Sequence, residues 1–210
     1  MKIKMKRMTY DEVMALPRPR HRRPLRPDMV FRTIIRVGSI PALIKSKFSY
    51  TAHRMDLAGK GPWLVLMNHS CFMDLKMASK ILYPKPFCTV CTSDGFVGKN
   101  WLMRVIGCIP TQKFVSDLSL IRDILYAVRE KKTSVLMYPE AGYSFDGRAT
   151  PLPRKLGVLL KKLDVPVVTI TSKGAFARDP LYNGLQLRKV KVSAHVQCLL
   201  TPEEIREKSV

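Results

Sequence analysis

The stretch Trp63-Leu64-Val65-Leu66-Met67-Asn68-His69-Ser70-Cys71-Phe72-Met73-Asp74 constrains this chain more than any other. Its five opening apolar residues form a short run that suits a buried strand. From Phe72 onward Leu75, Ala78, Ile81 and Leu82 recur at helical intervals, so a helix is predicted directly after the strand. His69 then stands at a strand-to-helix turn, with Asp74 in or near the first helical turn. A carboxylate there can accept a hydrogen bond from one ring nitrogen and fix the tautomer. The other nitrogen is left to take a proton from an incoming hydroxyl. A plainer reading makes His69 a polar loop residue and Asp74 a match for the positive helix end.

Strand and helix patterns alternate through the rest of the chain. Phe48 to Arg54 is predicted as a strand, with Phe48, Tyr50 and Ala52 on one side, and Phe87 to Val90 as another. A helix is expected from Asn100 to Ile106, followed by the segment Gly107 to Lys113. Ser116-Asp117 should cap a helix whose Leu118, Ile121, Leu125 and Val128 form one stripe. Ser134 to Tyr138 is apolar without alternation, as a strand covered on both faces would be. Leu156, Leu159, Leu160 and Leu163 mark a helix, Val165 to Ile170 a strand, and Val190 to Gln197 a half-exposed strand. Thr201-Pro202-Glu203-Glu204 begins a helix only two turns before Val210, so that helix is short and docked or the natural chain continues. The expected fold is a single-domain α/β sandwich over 48–210, with a mostly parallel central sheet flanked by helices.

Two further segments precede that domain. Residues 1–27 carry prolines among arginines and should form an extended basic arm that buries nothing. Residues 28–47, opened by Asp28 as N-cap, repeat Val30, Phe31, Ile34, Ile35 and Val37 at helical spacing, with Gly38 and Pro41 as interruptions. This amphipathic segment suits a membrane interface or a packing site on the domain's own sheet. The formal net charge is +21, which calls for an anionic partner. Nucleic acid is the competing partner to a membrane, but neither an aromatic RNP-type strand nor a zinc-finger spacing is present, and none is expected to bind. No apolar run reaches the roughly 18–20 residues of a spanning helix. The five cysteines are an odd number and read as reduced thiols. Cys88-Thr89-Val90-Cys91 reads as part of a strand rather than a redox or metal site, and no metal is expected.

Three blocks follow in order: Asn68-His69…Asp74, the segment ending in Lys113, and Pro139-Glu140-Ala141-Gly142-Tyr143-Ser144. In open α/β sheets such blocks gather beyond the carboxyl ends of strands. Together they resemble the glycerolipid acyltransferase family, typified by 1-acylglycerol-3-phosphate acyltransferases, from about Gly61 to Ile170. Val165-Pro166-Val167-Val168 resembles the family's late block. The resemblance implies transfer of a fatty acyl group from acyl-CoA or acyl-carrier-protein, as co-substrate and without a further cofactor, to a lysophospholipid hydroxyl. The most fitting acceptor is 1-acyl-glycerol-3-phosphate, in phospholipid biosynthesis. It implies His69 as general base and Asp74 as its orienting partner, with Lys113, Glu140, Gly142 and Ser144 as substrate-binding candidates; Arg148, close behind the third block, joins them by its charge. It also implies a peripheral or monotopic place on the cytoplasmic face of an anionic membrane.

This chain departs from the family's pattern in places. The third block is usually F-P-E-G-T-R-S, whereas here Ala141-Gly142 replaces Gly-Thr and Tyr143 replaces arginine. Lys113 stands for a closing arginine and lacks its bidentate fork. Arg148, Arg154 and Lys155 follow closely and could supply the charge; otherwise the acceptor is another lysolipid, or the chain keeps the fold without the activity. Cys71 invites a nucleophile reading, but no base partner for it is evident.

Overall fold

The computed structural model describes residues 21–112, 118–153, 155–180 and 187–208, together with Thr9, Asp11, Glu12 and Ala15. Strand β1 spans Ser49–His53, β2 Leu64–Met67, β3 Phe87–Thr92, β4 Cys108–Thr111, β5 Ser134–Met137, β6 Val167–Lys173 and β7 Ser193–Leu200. They form one sheet in the order β1-β7-β6-β2-β5-β3-β4. The five strands from β6 to β4 are parallel. Strand β7 runs antiparallel to β6, and β1 runs parallel to β7. The sheet is thus mostly parallel, as the alternating pattern predicts.

The helices are α1 Met29–Lys45, α2 Met73–Ile81, α3 Asn100–Val105, α4 Leu118–Arg129, α5 Leu156–Leu163, α6 Ala175–Arg178 and α7 Pro202–Glu207. Side chains alternate across a strand, so β2 feeds two cores at once. Val65 and Met67 pack with Leu43 of α1 and Met73, Met77 and Ala78 of α2. Leu64 and Leu66 pack with Ile124 and Val128 of α4 and Leu159 and Leu163 of α5. All four β2 side chains are buried, each worth about 1.5–3 kcal/mol relative to exposure. Such a strand does not alternate in sequence because neither face meets water.

The connection from β2 passes through α2 to β3, on the far side of β5. The connection from β5 passes through α5 to β6, on the far side of β2. The chain therefore leaves these two neighbouring strand ends in opposite directions, which makes their carboxyl ends a topological switch point, the place where open α/β sheets form a ligand crevice. His69 follows β2 into that crevice, and the 138–144 loop follows β5.

Several expectations are corrected. Helix α1 is continuous through Gly38 and Pro41. Pro41 lacks the N–H that would serve the Val37 carbonyl, but both residues face solvent, where water can serve it instead. The same helix turns its apolar stripe outward. Met29 and Ile44 are 73% and 71% exposed, and Val30, Ile34 and Val37 lie between them, while Phe31 and Ile35 are half-buried. The arginines turn inward: Arg32 donates to the Pro84 carbonyl, and the Arg36 guanidinium lies 3.5 Å over the Tyr83 ring.

The segment from His21 to Pro27 forms neither helix nor strand, and against expectation it does bury residues. Pro24 and Pro27 are buried, and His21 Nε2 lies 3.0 Å from the buried Asp123 carboxylate. Gly107 sits at φ +87, and a Cβ there would run into the Pro27 ring. Sequence periodicity also misses β4, whose Pro110 is tolerated because the strand lies at the sheet edge. On α4, Ile124, Ala127 and Val128 face the core while Leu118 faces out; the expected cap at Ser116-Asp117 lies outside the described residues. Cys88 and Cys91, three apart on β3, point to opposite faces. Cys91 instead meets Cys108, with the two sulfurs 3.5 Å apart.

Candidate active site

The end of β2 is tied down before the histidine is reached. The Asn68 side chain accepts from the Ser172 N–H at 2.7 Å and donates to the Ser172 carbonyl at 3.2 Å, clasping β2 to β6. The next residue then leaves the sheet from a fixed point. Asp74, wholly buried in the first turn of α2, gathers three donors on its Oδ2 oxygen. These are the Ser70 N–H at 2.6 Å, the Cys71 N–H at 3.0 Å and His69 Nδ1 at 2.9 Å. An ionised carboxylate only accepts, so Nδ1 donates to it, and in the neutral ring Nε2 is then the nitrogen with the free lone pair. Among the described residues nothing is hydrogen-bonded to Nε2, and the His69 side chain keeps 16% exposure. Asp74 Oδ1 is buried without a partner among the described residues, so the carboxylate's hydrogen bonding is concentrated on the histidine side.

The loop after β5 closes over this pair. The Ser144 N–H donates to the His69 carbonyl at 2.8 Å. The Ser144 hydroxyl donates to the Arg148 carbonyl at 2.9 Å and accepts the Gly147 N–H at 2.8 Å. Ser144 thus knits the loop together. Ala141, not Gly142, adopts the left-handed backbone, at φ +57, and Gly142 is exposed with open space where a Cβ would stand. The Glu140 carboxylate reaches the His69 N–H at 3.5 Å, and burial raises its pKa above the ordinary carboxylate value. The Arg148 guanidinium is 88% exposed and lies 3.7 Å from Asp146. Lys113 and Arg154 lie outside the described residues.

Two aromatic residues that sequence reasoning did not assign to the site lie against His69. The Tyr138 ring stacks on the imidazole at 3.7 Å between centroids, and the Tyr143 ring lies at 3.9 Å. Their signal was in view: Tyr138 ends the apolar strand, and Tyr143 fills a position where the resembled family carries arginine. Cys71 is fully buried, and burial together with the Asp74 charge pushes its thiol up to about 12. At neutral pH such a thiol is ionised in roughly one molecule in 10⁵, so it offers no nucleophile.

A buried strand, an oriented imidazole with a free Nε2 and a crevice at the switch point are the parts a hydroxyl-activating transferase needs. A family model described as Acyltransferase matches residues 45–173, more than half of the chain. The chain belongs to the acyltransferase family. The acyltransferase fold is also that of a solved structure, the 1-acyl-sn-glycerophosphate (LPA) acyltransferase PlsC from Thermotoga maritima. The TM-score is 0.62 at 17% identity, over 84% of this chain and 73% of that one. No curated protein matches the chain by sequence. Among the described residues of this acyltransferase, no group of three or more His, Cys, Asp or Glu could hold a metal ion. No described helix is long and apolar enough to cross a membrane.

Proposed function

We propose that this acyltransferase moves a fatty acyl group from acyl-CoA or acyl-carrier-protein to the hydroxyl of a lysophospholipid, with 1-acyl-glycerol-3-phosphate as the best-fitting acceptor. The observation that carries the reading is the 2.9 Å contact between His69 Nδ1 and Asp74, which engages that nitrogen and leaves Nε2 as the one to take the acceptor's proton. In this reading the acceptor oxygen attacks the thioester carbonyl carbon as its proton passes to Nε2. The C–S bond then breaks, and the same proton is returned to the leaving thiolate. A thioester is reactive enough for positioning and proton removal to suffice.

The outer face of α1 supports work at a membrane surface, which this proposal puts on the cytoplasmic side. Its apolar residues continue onto Trp101, 69% exposed, whose ring meets Phe31 edge-on at 5.8 Å. In the chain Arg26 precedes this helix and Lys45 and Lys47 stand at its end, and each basic group near an anionic surface contributes about 1 kcal/mol.

The test is a panel of lysophospholipids and glycerol-3-phosphate against both donor types, with wild type and His69→Ala. The variant should lose at least about 100-fold in turnover on whichever pair wild type prefers. Near-wild-type turnover by a folded His69→Ala protein would exclude this chemistry.

A further inference from the structure

We infer that Tyr143 is a positioning residue for the His69 base, closing with Tyr138 an aromatic clamp on the two faces of the imidazole. The inference rests on the proposed role of His69 and adds to it a requirement specific to this chain. The two tyrosine centroids lie 3.7 and 3.9 Å from the imidazole centroid, with interplanar angles of 13° and 31°. Two near-parallel rings at that distance cannot share one face, so they occupy opposite faces.

The need for a clamp follows from what Asp74 does and does not hold. One hydrogen bond at Nδ1 fixes the tautomer and one corner of the ring, but the ring can still swing about that contact. Van der Waals contact on both faces removes the swing and keeps the Nε2 lone pair in a single plane. A misplacement of about 1 Å at a reacting atom can lose on the order of 100-fold in rate, so the restraint bears on turnover. The imidazolium formed in mid-reaction also lies against the electron-rich faces of two phenol rings. The acceptor hydroxyl must then arrive edge-on, through the slot between the tyrosines.

The two halves of the clamp are anchored differently. Tyr138 directly follows β5, whose Leu136 packs in the core beneath α2. Tyr143 is carried by the loop, and the Ser144 N–H beside it donates to the carbonyl of His69 itself. The clamp is thereby tied to the residue it covers. Phe72 backs Tyr143 from the start of α2, with centroids 5.8 Å apart.

The experiment compares Tyr143→Phe and Tyr143→Ala with wild type and His69→Ala, on the donor–acceptor pair with the highest turnover. Tyr143→Ala should lower kcat about 10- to 100-fold, with the acceptor KM within about threefold and the melting temperature little changed. Tyr143→Phe, which keeps the ring face, should recover most of the rate. A substrate-free readout runs beside it: mass-mapped acylation of histidines by diethyl pyrocarbonate, with His21, His53 and His195 as internal references. Modification of His69 should speed several-fold in Tyr143→Ala and not in Tyr143→Phe. The inference is overturned by an unchanged kcat in Tyr143→Ala while His69→Ala is inactive. A change confined to KM, equal losses in Phe and Ala, or an unaltered His69 modification rate would overturn it as well. Turnover retained by His69→Ala would instead bring down the base assignment, and the clamp with it.

Discussion

Strands β2 and β5 are neighbours of the same length, both buried, and both end at the site, yet their loops are held by opposite means. After β2 the critical contacts are local. Asp74 takes His69, Ser70 and Cys71 within five residues, and the helix that carries it begins at once. After β5 the conformation is imposed partly from outside. Ser144 leans on His69, Ala141 is held left-handed, and a Cβ on Gly147 would press against the Phe176 ring from beyond β6. A locally wired turn holds the proposed base. A loop wired across the crevice positions what surrounds it.

If that division is right, damage to the β2 side should strike chemistry and damage to the β5 side should strike order. The largest effect is expected from Asp74→Asn. The amide nearly matches the carboxylate in volume, and its oxygen can still accept at the Oδ2 place, but it carries no charge to stabilise the imidazolium that forms when His69 takes the proton. Turnover should fall about 10²–10⁴-fold with the far-UV circular dichroism spectrum kept. A loss of less than about threefold would put the source of chemistry elsewhere.

Ser144→Ala should come next and differ in kind. It removes two hydrogen bonds from a buried hydroxyl, each with a net worth of about 1 kcal/mol. Thermal denaturation should show a midpoint lower by roughly 4–8 °C for a chain of this size, with turnover lowered about tenfold at most. A drop as deep as that of Asp74→Asn would erase the distinction between the loops.

The smallest effect is expected from Glu140→Gln, and it depends on pH. Burial raises the folded-state pKa of Glu140 above its ordinary 4.5, so the folded chain holds this proton more tightly than the unfolded chain. Stability therefore falls as pH rises from that ordinary value through the raised one, and glutamine is exempt. The variant should melt above wild type at pH 8, and the gap should close as the pH is lowered below that ordinary value. A gap that is constant with pH would mean that shape, not charge, sets it.

How much could be read from the chain follows the same division. The β2 strand, the start of α2 and the His69–Asp74 pair were legible because each depends on residues within a dozen positions. The role of Ser144 was not, because its partners are the His69 and Arg148 carbonyls, and main-chain carbonyls leave no mark in a sequence. Glycine is the residue freest to turn left-handed, yet Ala141 and not Gly142 takes that backbone, a choice local preference does not predict. The inward arginines of α1 were equally hidden: spacing groups residues by face, but it does not say which face meets the protein.

By itself the sequence determined the alternation of strands and helices, the turn at which the histidine stands and the carboxylate that orients it. Hydrophobic period and short-range hydrogen bonding set those features, and both are written in neighbouring residues. Only the tertiary structure decided the strand order that opens the crevice between β2 and β5, the outward turn of the apolar face of α1, and the meeting of Tyr138 and Tyr143 on the His69 ring. Those depend on which distant surfaces bury one another, and burial is a property of the packed whole.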